Sequence, residues 1–528
     1  METTDTLLRR FEQLNDVGTA LSQERRIDHL LERILLAAKT ITRAEGGTLY
    51  RLTPDEQGLR FEIVHNDRLG IALGGAGGQP ISGKFHDLPL RLPDGGPNHH
   101  LVAAFAANTG RTVNVPDAYE AEGFDFSGTR RFDESTGYRS RSFLTVPMKN
   151  HEGDLIGVLQ LLNALDPASG EVLAFTPADQ RLAESLASQA AVALTNQQLL
   201  AQLEALFESF IGLINAAIDE KSPYTGGHCQ RVPELTMMLA EAVNQTDTGP
   251  LGDIQMTEKD FHELRIAALL HDCGKVTTPV HVVDKATKLQ TIHDRIHEID
   301  ARFELVKREA ELRHWQAVAT SQSAAGGDAD LANFLEQVDA DRDFLRRANI
   351  GGERMSDEDV ARVRHIGRAY TWGGPDGTQR SVLSVDELDN LCVRAGTLNT
   401  AEREVINQHI STTIRMLEQL PWPKHLVNVP EYAGGHHERM DGKGYPRGLK
   451  RDEMSWQARM MGIADIFEAL TAADRPYKKA MPLSQALAIM RNFKEGGHID
   501  PDLFDVFVGK QVYRRYAQAF LAPTQIDC

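Results

Sequence analysis

Cysteine is scarce in this chain of 528 residues: there are four, Cys229, Cys273, Cys392 and Cys528, and none has the paired spacing of a thiolate zinc site or a disulfide framework. The thiols therefore read as reduced and structural. No stretch of about 20 consecutive apolar residues occurs, and Met1-Glu2-Thr3-Thr4-Asp5 does not open a signal peptide. The expectation is a cytoplasmic protein with no membrane role of its own. Basic residues are in deficit, 57 Lys and Arg against 75 Asp and Glu, for a formal net charge of −18. Such a balance argues against binding duplex nucleic acid, so an anionic substrate must be attracted locally. A bound divalent cation is often the largest charge in its site and can do this. The length exceeds one core and predicts two or three domains.

The densest potential metal chemistry lies in Gly434-Gly435-His436-His437-Glu438-Arg439-Met440-Asp441-Gly442-Lys443-Gly444-Tyr445-Pro446. Imidazole nitrogen and carboxylate oxygen suit catalytic first-row divalent metals. The glycines let backbone approach a ligand, and Pro446 fixes the exit. Further ligands must come from elsewhere in the chain.

In the N-terminal third, apolar residues from Leu8 to Leu35 recur at helical spacing, and residues 47–52 and 59–64 alternate as strands do. Residues 143–148 and 155–163 flank the turn 150–154 as a hairpin. This order resembles a GAF sensory domain over residues 20–195, preceded by a helix over residues 1–19. The likeness rests on the run from Phe132 to Phe143, on Val146-Pro147-Met148 and on Ile156-Gly157-Val158-Leu159-Gln160. It implies an α+β domain, an antiparallel sheet with flanking helices. Phe132, Asp133 and Glu134 are similar to a segment associated with cyclic-nucleotide recognition in some GAF domains, which implies a small-ligand site there. The alternative is that Asp133 and Glu134 are loop carboxylates making caps or surface pairs.

From Pro177 to about Glu220 helix formers dominate. Leu182, Leu186, Gln189, Ala193, Asn196, Leu200, Leu203, Phe207, Phe210 and Ile214 fall at 3.5-residue spacing and predict a coiled-coil seam, with Asn196 fixing register and the chain forming a homodimer. Packing of this connecting helix, residues 177–220, on its own two domains is the alternative.

Beyond it, a helix opens near His228, and an apolar helix from Phe261 to Leu270 ends at His271-Asp272-Cys273-Gly274-Lys275. Together with His436-His437-Glu438-x-x-Asp441-Gly442-x-Gly444-Tyr445-Pro446, Tyr224-Thr225-x-x-His228, Gly462-Ile463-Ala464-Asp465-Ile466-Phe467-Glu468-Ala469-Leu470-Thr471 and Arg475-Pro476-Tyr477-Lys478, this resembles an HD-GYP domain, an all-α metal-dependent hydrolase family that degrades cyclic di-GMP. The likeness covers about residues 205–528 apart from an insertion. It implies metal ligands at His228, His271, Asp272, His409, His436, His437 and Asp465, with Asp272 bridging two divalent metals. Iron and manganese come first, and zinc and others remain chemically allowed. His409 is placed by the family spacing after Gly396-Thr397-Leu398-Asn399-Thr400-Ala401-Glu402; His293 and His297, after Lys285-Ala286-Thr287-Lys288-Leu289, fall at the wrong distances. Tyr224 stands where three-metal members carry a carboxylate, which favours two metals. The resemblance also implies that Lys275 stabilises developing charge and that Tyr445, Arg475 and Lys478 meet the substrate, although an extra Ala between Asp465 and Arg475 departs from the pattern.

Residues 290–395 then form the insertion. Ile292, Ile296, Ile299, Phe303 and Val306 make one helical stripe, Leu331, Phe334, Leu335, Val338, Phe344 and Leu345 another, and Met355-Ser356-Asp357-Glu358 a helix start. The implied activity is hydrolysis of cyclic di-GMP to linear pGpG, continuing in some cases to GMP, under GAF control. Two rivals stand beside it. One is a catalytically weak receptor whose Gly444-Tyr445-Pro446 surface binds diguanylate-cyclase domains, and the other is a hydrolase of another cyclic dinucleotide.

Overall fold

Strand alternation organises the first of the two units, Met1–Phe207 and Glu208–Cys528, into which the chain divides. The computed structural model describes residues 4–24, 26–81, 85–221, 227–320, 327–352, 354–473 and 480–528. In the first unit an antiparallel sheet runs in the order Ile71–Gly74, Gly58–Asn66, Ala44–Leu52, Leu155–Leu165, Phe143–Lys149 and Val113–Val115. The expected hairpin is present, with Phe143 opposite Leu162 at one end and Lys149 opposite Leu155 at the other. Successive strand side chains point to opposite faces. Leu49, Ile63, Leu144, Val146, Leu159 and Leu161 accordingly pack on the Ile27–Thr42 helix and the start of the Pro177–Lys221 helix. Their neighbours Thr48, Tyr50, Phe143, Gln160 and Leu162 line a cavity of about 610 Å³. The N-terminal helix Thr4–Gln23 joins the first core through Leu14.

The connecting helix spans Pro177–Lys221, and the boundary between the units falls within it. Two expected seam positions are corrected here. Leu182 and Leu186 are buried at 3% and 1% exposure in the core of the first unit, because the first half of the helix covers its own sheet. The free apolar stripe begins further on, where Leu199, Leu203, Leu206, Phe210 and Leu213 are between 54% and 65% exposed. Among the described residues this is the one helix long and apolar enough to cross a membrane.

Among its described residues the second unit is helical apart from one small hairpin. His228–Asn244 packs against Glu258–Leu270 and Trp456–Thr471, and Thr400–Glu418 against Val429–Gly434 and the turn Cys273–Thr277. The insertion has a core of its own, including Ile299, Phe303, Val338, Leu345, Val363 and Ile366, drawn from Ile296–Ala319, Gly327–Asn349 and Asp357–Ala369. Ser356 caps the last of these by accepting the N–H of Asp359. The hairpin of Thr371–Gly373 and Gln379–Ser381 and the helix Val385–Leu391 are too short for a strong periodic signal in the sequence. Ile292, assigned to the first stripe, is 97% exposed because it precedes the helix. The run from Ser321 to Asp330 between the two stripes reads as a polar turn, and its residues 321–326 lie outside the described residues.

One buried carboxylate ties the C-terminal helices together. Asp500 caps Pro501–Gly509 by accepting the N–H groups of Asp502 and Leu503 at 3.0 and 3.1 Å, and it takes Arg451 at 2.9 Å and Arg459 at 3.0 Å. Burial works against its charge, but these donors outweigh it and hold the carboxyl below the usual carboxylate range. A carboxylate whose folded pKa is depressed stabilises the fold above its unfolded value and loses that contribution as pH falls through the folded one. Asp500→Asn is expected to cost about 3–5 kcal/mol at neutral pH. Urea unfolding checks this, and the difference between the two proteins should shrink in acid.

Candidate metal centre

Helix ends and helix faces bring the donor side chains together. His228 opens the His228–Asn244 helix, and His271 follows Glu258–Leu270 as its C-cap, with Asp272 next in the chain. His409 lies within Thr400–Glu418, His436 and His437 follow Val429–Gly434, and Asp465 lies within Trp456–Thr471. Two glycines permit the close approaches. A Cβ on Gly274 would sit 2.0 Å from the His409 carbonyl oxygen, and one on Gly444 would sit 2.4 Å from the Arg439 nitrogen.

The donors form two clusters, His228 with His271 and Asp272, and His409 with His436 and His437, each with donor atoms within 4.8 Å of one another. Asp272 faces both. Its Oδ2 lies 3.2 Å from His228 Nε2 and 3.3 Å from His271 Nε2, while Oδ1 lies 3.2 Å from His409 Nε2. Asp465 Oδ1 is 3.4 Å from His228 Nε2. Two ligand atoms each about 2.1 Å from one cation, at octahedral or tetrahedral angles, are about 3.0–3.4 Å apart. The spacing fits. Among the described residues, Asp272 Oδ1, His409 Nε2 and His436 Nε2 are buried atoms with no hydrogen-bond partner. Buried polar atoms are rarely left so, and orphans from both sides of one site fit a shared cationic occupant.

The opposite edges of the rings are fixed by the protein. His271 Nδ1 faces the Ala268 carbonyl at 2.7 Å, His436 Nδ1 the Ala433 carbonyl at 2.7 Å, and His409 Nδ1 the Ile406 carbonyl. A carbonyl accepts only from a protonated Nδ1, so in the neutral ring the lone pair falls on Nε2, toward the centre. His228 is held differently. Its Nδ1 lies 2.6 Å from Glu468 Oε2, and Glu468 Oε1 accepts from Arg231 Nε at 2.8 Å. Glu468 was not among the sequence candidates. Its signal was its position three residues after Asp465, on the same helix face.

Electrostatics prepares these groups unequally. Burial pushes His437 down to about 4 and His436 well below its ordinary value, so both are neutral donors at pH 7. Burial opposes charge on Asp272 and Asp465, yet Lys275 and His271 outweigh it at the first and His228 at the second, keeping both below the usual carboxylate range. For His228, burial lowers the pKa but the hydrogen bonds with Asp272 and Glu468 prevail and raise it to about 9. It therefore carries a proton at neutral pH until a cation displaces it.

Of the other expected residues, Lys275 and Tyr445 adjoin this centre. The Lys275 ammonium donates to Asp272 Oδ2. The Tyr445 ring stacks on His437 with centroids 4.8 Å apart. Glu438, buried, accepts the N–H groups of Arg447 and Leu449 at 2.7 and 2.9 Å and so holds the Gly-Tyr-Pro turn. Arg475 and Lys478 lie in residues 474–479 and Tyr224 in residues 222–226, all outside the described residues. His293 pairs with Glu298 at 2.6 Å on the surface. In the first unit, Phe132 lines the cavity, together with Tyr50, Phe61, Phe85, Phe126 and Arg131. Asp133 and Glu134 are not among the lining residues. The Asp133 carboxylate accepts from Tyr119 Oη at 2.7 Å and from Ser140 N and Oγ at 2.8 Å, and Glu134 is exposed.

Residues 26–194 match the family model of the GAF domain, residues 225–345 that of the HD domain, and residues 385–503 a second HD-domain model. A 3'3'-cGAMP-specific phosphodiesterase of Vibrio cholerae is 37% identical over 176 residues, 33% of this chain and 31% of that protein. A second 3'3'-cGAMP-specific phosphodiesterase of the same organism is 40% identical over 134 residues, 25% of this chain and 30% of that protein. A cyclic di-GMP phosphodiesterase of Pseudomonas aeruginosa is 36% identical over 120 residues, 23% and 28% of the two chains. The chain thus spans about a third or less of the length of the curated relatives it matches.

Cation uptake at pH 7 is expected to release about one proton from His228 per chain, with affinity rising as pH rises toward 9. Glu468→Gln should lower affinity about tenfold and reduce the proton release, because the imidazolium loses its anionic partner. Calorimetry in buffers of different ionisation enthalpy reads both effects.

Proposed function

We propose that this chain, which carries a GAF domain followed by an HD domain, is an HD-GYP-type phosphodiesterase that opens cyclic di-GMP to linear pGpG. The observation that carries the reading is Asp272, whose single carboxylate faces both histidine clusters. Nitrogen and carboxylate donors without thiolate suit two divalent cations, iron or manganese. His228, His271 and Asp465 would hold one, and His409, His436 and His437 the other, with Asp272 between them. When bound, such a pair supplies Lewis acidity toward a phosphodiester and lowers the pKa of water.

The chain's own groups position and neutralise the substrate. Burial opposes the charge of Lys275, but attraction to Asp272 and Asp465 keeps it an ammonium. It stands where negative charge develops as the leaving ribose oxygen departs. Tyr445, stacked on His437, offers a ring and a hydroxyl to the bound nucleotide. Arg475 and Lys478 supply the cations that a dianionic dinucleotide needs on a chain of net charge −18. The cavity of the first unit, with its aromatic lining and Arg131, suits a planar heterocycle bearing an anionic group, such as a cyclic nucleotide, and its occupancy regulates hydrolysis.

A second substrate reading is favoured by the two Vibrio cholerae relatives, which are named for 3'3'-cGAMP. Protein loaded with iron or manganese is expected to convert cyclic di-GMP faster than 3'3'-cGAMP, and His271→Ala or Asp272→Ala should reduce the rate at least about 100-fold. Faster turnover of 3'3'-cGAMP would reassign the substrate, and absence of linear product from either nucleotide with every metal tried would remove the enzyme reading.

The exposed stripe from Leu199 to Leu213 repeats at four and three residues, as a coiled-coil seam does. It pairs with the same stripe of a second copy. Light scattering of the full chain should report a dimer, and Leu203→Glu with Phe210→Glu should yield monomers.

A further inference from the structure

Where the insertion leaves and rejoins the helical layer, a lysine is sealed from solvent. Lys285 ranks among the largest fully buried side chains, its side chain 1% exposed. An ammonium has three protons, and here each meets an oxygen: Asn390 Oδ1 at 3.0 Å, Glu402 Oε1 at 2.7 Å and Glu402 Oε2 at 2.7 Å. The same acceptors continue into a closed ring. Asn390 Oδ1 also accepts from Asn399 Nδ2 at 3.1 Å, Asn399 Oδ1 accepts the N–H of Glu402 at 2.9 Å, and Glu402 Oε2 accepts the N–H of Asn399 at 2.9 Å. Thr397 Oγ1 donates to the Lys285 carbonyl at 2.8 Å and draws the two ends of the insertion together.

This ring surrounds the first turn of the Thr400–Glu418 helix, the helix that carries His409. Asn399 and Glu402 form its capping box, and Asn390 belongs to the last helix of the insertion, Val385–Leu391. Glu402 and His409 are seven residues apart, about two turns, and so share a helix face. The contact of His409 Nε2 with Asp272 Oδ1, at 3.2 Å, therefore depends on the rotation and axial position of that face. Burying an ammonium is costly unless it is paired and fully hydrogen-bonded, and an apolar side chain would fill the same space without that demand. What the lysine adds is a fixed geometry at one point of the helix.

We propose that Lys285 is a positioning residue for His409, and that the insertion, through Asn390, helps to set the metal cluster of His409, His436 and His437. The inference rests on the reading of His409 as a ligand. Substrate need not touch Lys285. Its ring orients the helix, and the helix orients the imidazole.

The test counts metal on the full chain by elemental analysis, beside kcat and KM for cyclic di-GMP and a thermal unfolding curve. Wild type is expected to hold two divalent ions per chain. Lys285→Met should unfold cooperatively yet hold close to one, with kcat down about tenfold or more and KM changed far less. Lys285→Met with Glu402→Gln removes the stranded carboxylate, and the second ion should still be missing. Asn390→Ala leaves the ion pair intact and covers the case in which the lysine variants fail to fold; it should weaken the second ion several-fold. Two ions and unchanged kcat in Lys285→Met, recovery of the second ion in the double variant, or unaltered affinity in Asn390→Ala would each overturn the proposal. Fewer than two ions on wild type would overturn the metal-centre reading itself and this inference with it.

Discussion

The Asp272 carboxylate has basic neighbours at both oxygens, and the surrounding helices are arranged to keep them there. His228, His271 and Lys275 converge on Oδ2, and His409 on Oδ1. Such a cluster survives burial only if each ring is held at its far edge, because imidazoles in a low dielectric otherwise turn toward whatever acceptor is nearest. Backbone carbonyls one turn earlier hold His271, His409 and His436, and Glu468 holds His228. Three of these orienting contacts are local in sequence, so the rings are set by the helices that bear them. The contact at His228 is not, and it is the place where two distant helices decide a histidine's charge.

Much of this centre is legible in the sequence because metal ligation restricts residue type. His436-His437 stands out by its chemistry, whereas His-Asp occurs three times in the chain and His271-Asp272 is marked only by the apolar helix before it and the Gly-Lys after it. The remaining positions come from the family resemblance, and the structure brings His228, His271, Asp272, His409, His436, His437 and Asp465 to one place. The supporting residues are far less legible. Glu468 acts on a histidine 240 residues away and Lys285 on a carboxylate 117 residues away. Neither separation leaves a periodic trace. Glu438 illustrates the converse, since it sits among apparent ligands and turns out to brace a turn.

The first unit was legible as alternation, and the limits there are equally physical. Heptad spacing is the same whether a helix packs on its own sheet or on a second helix, so Leu182 and Leu186 carried no mark of their burial. The stripe beyond Leu199 has the same pattern and remains exposed. At Phe132 and Asp133, adjacency in sequence hid a division of labour. The ring faces the cavity, whereas the neighbouring carboxylate closes a loop through Tyr119 and Ser140. The insertion was visible as stripes around Phe303 and Phe344, but its hairpin strands are three residues long, too short to show a period.

The meeting of the insertion's ends at Lys285 and Thr397 bears on the order in which the protein is made. Gly274 and Thr413, joined by a 2.9 Å hydrogen bond, are 139 residues apart, a separation that slows folding when the intervening chain is unstructured. A layer with its own core can form while still near the ribosome, and once its ends have met the remaining loop is short. The His409 helix then docks onto a nearby partner instead of searching through a long coil. Slow maturation of that layer would leave His228 and His271, two of the centre's five histidines, synthesised but unassembled, exposed to whichever cation the cell offers first.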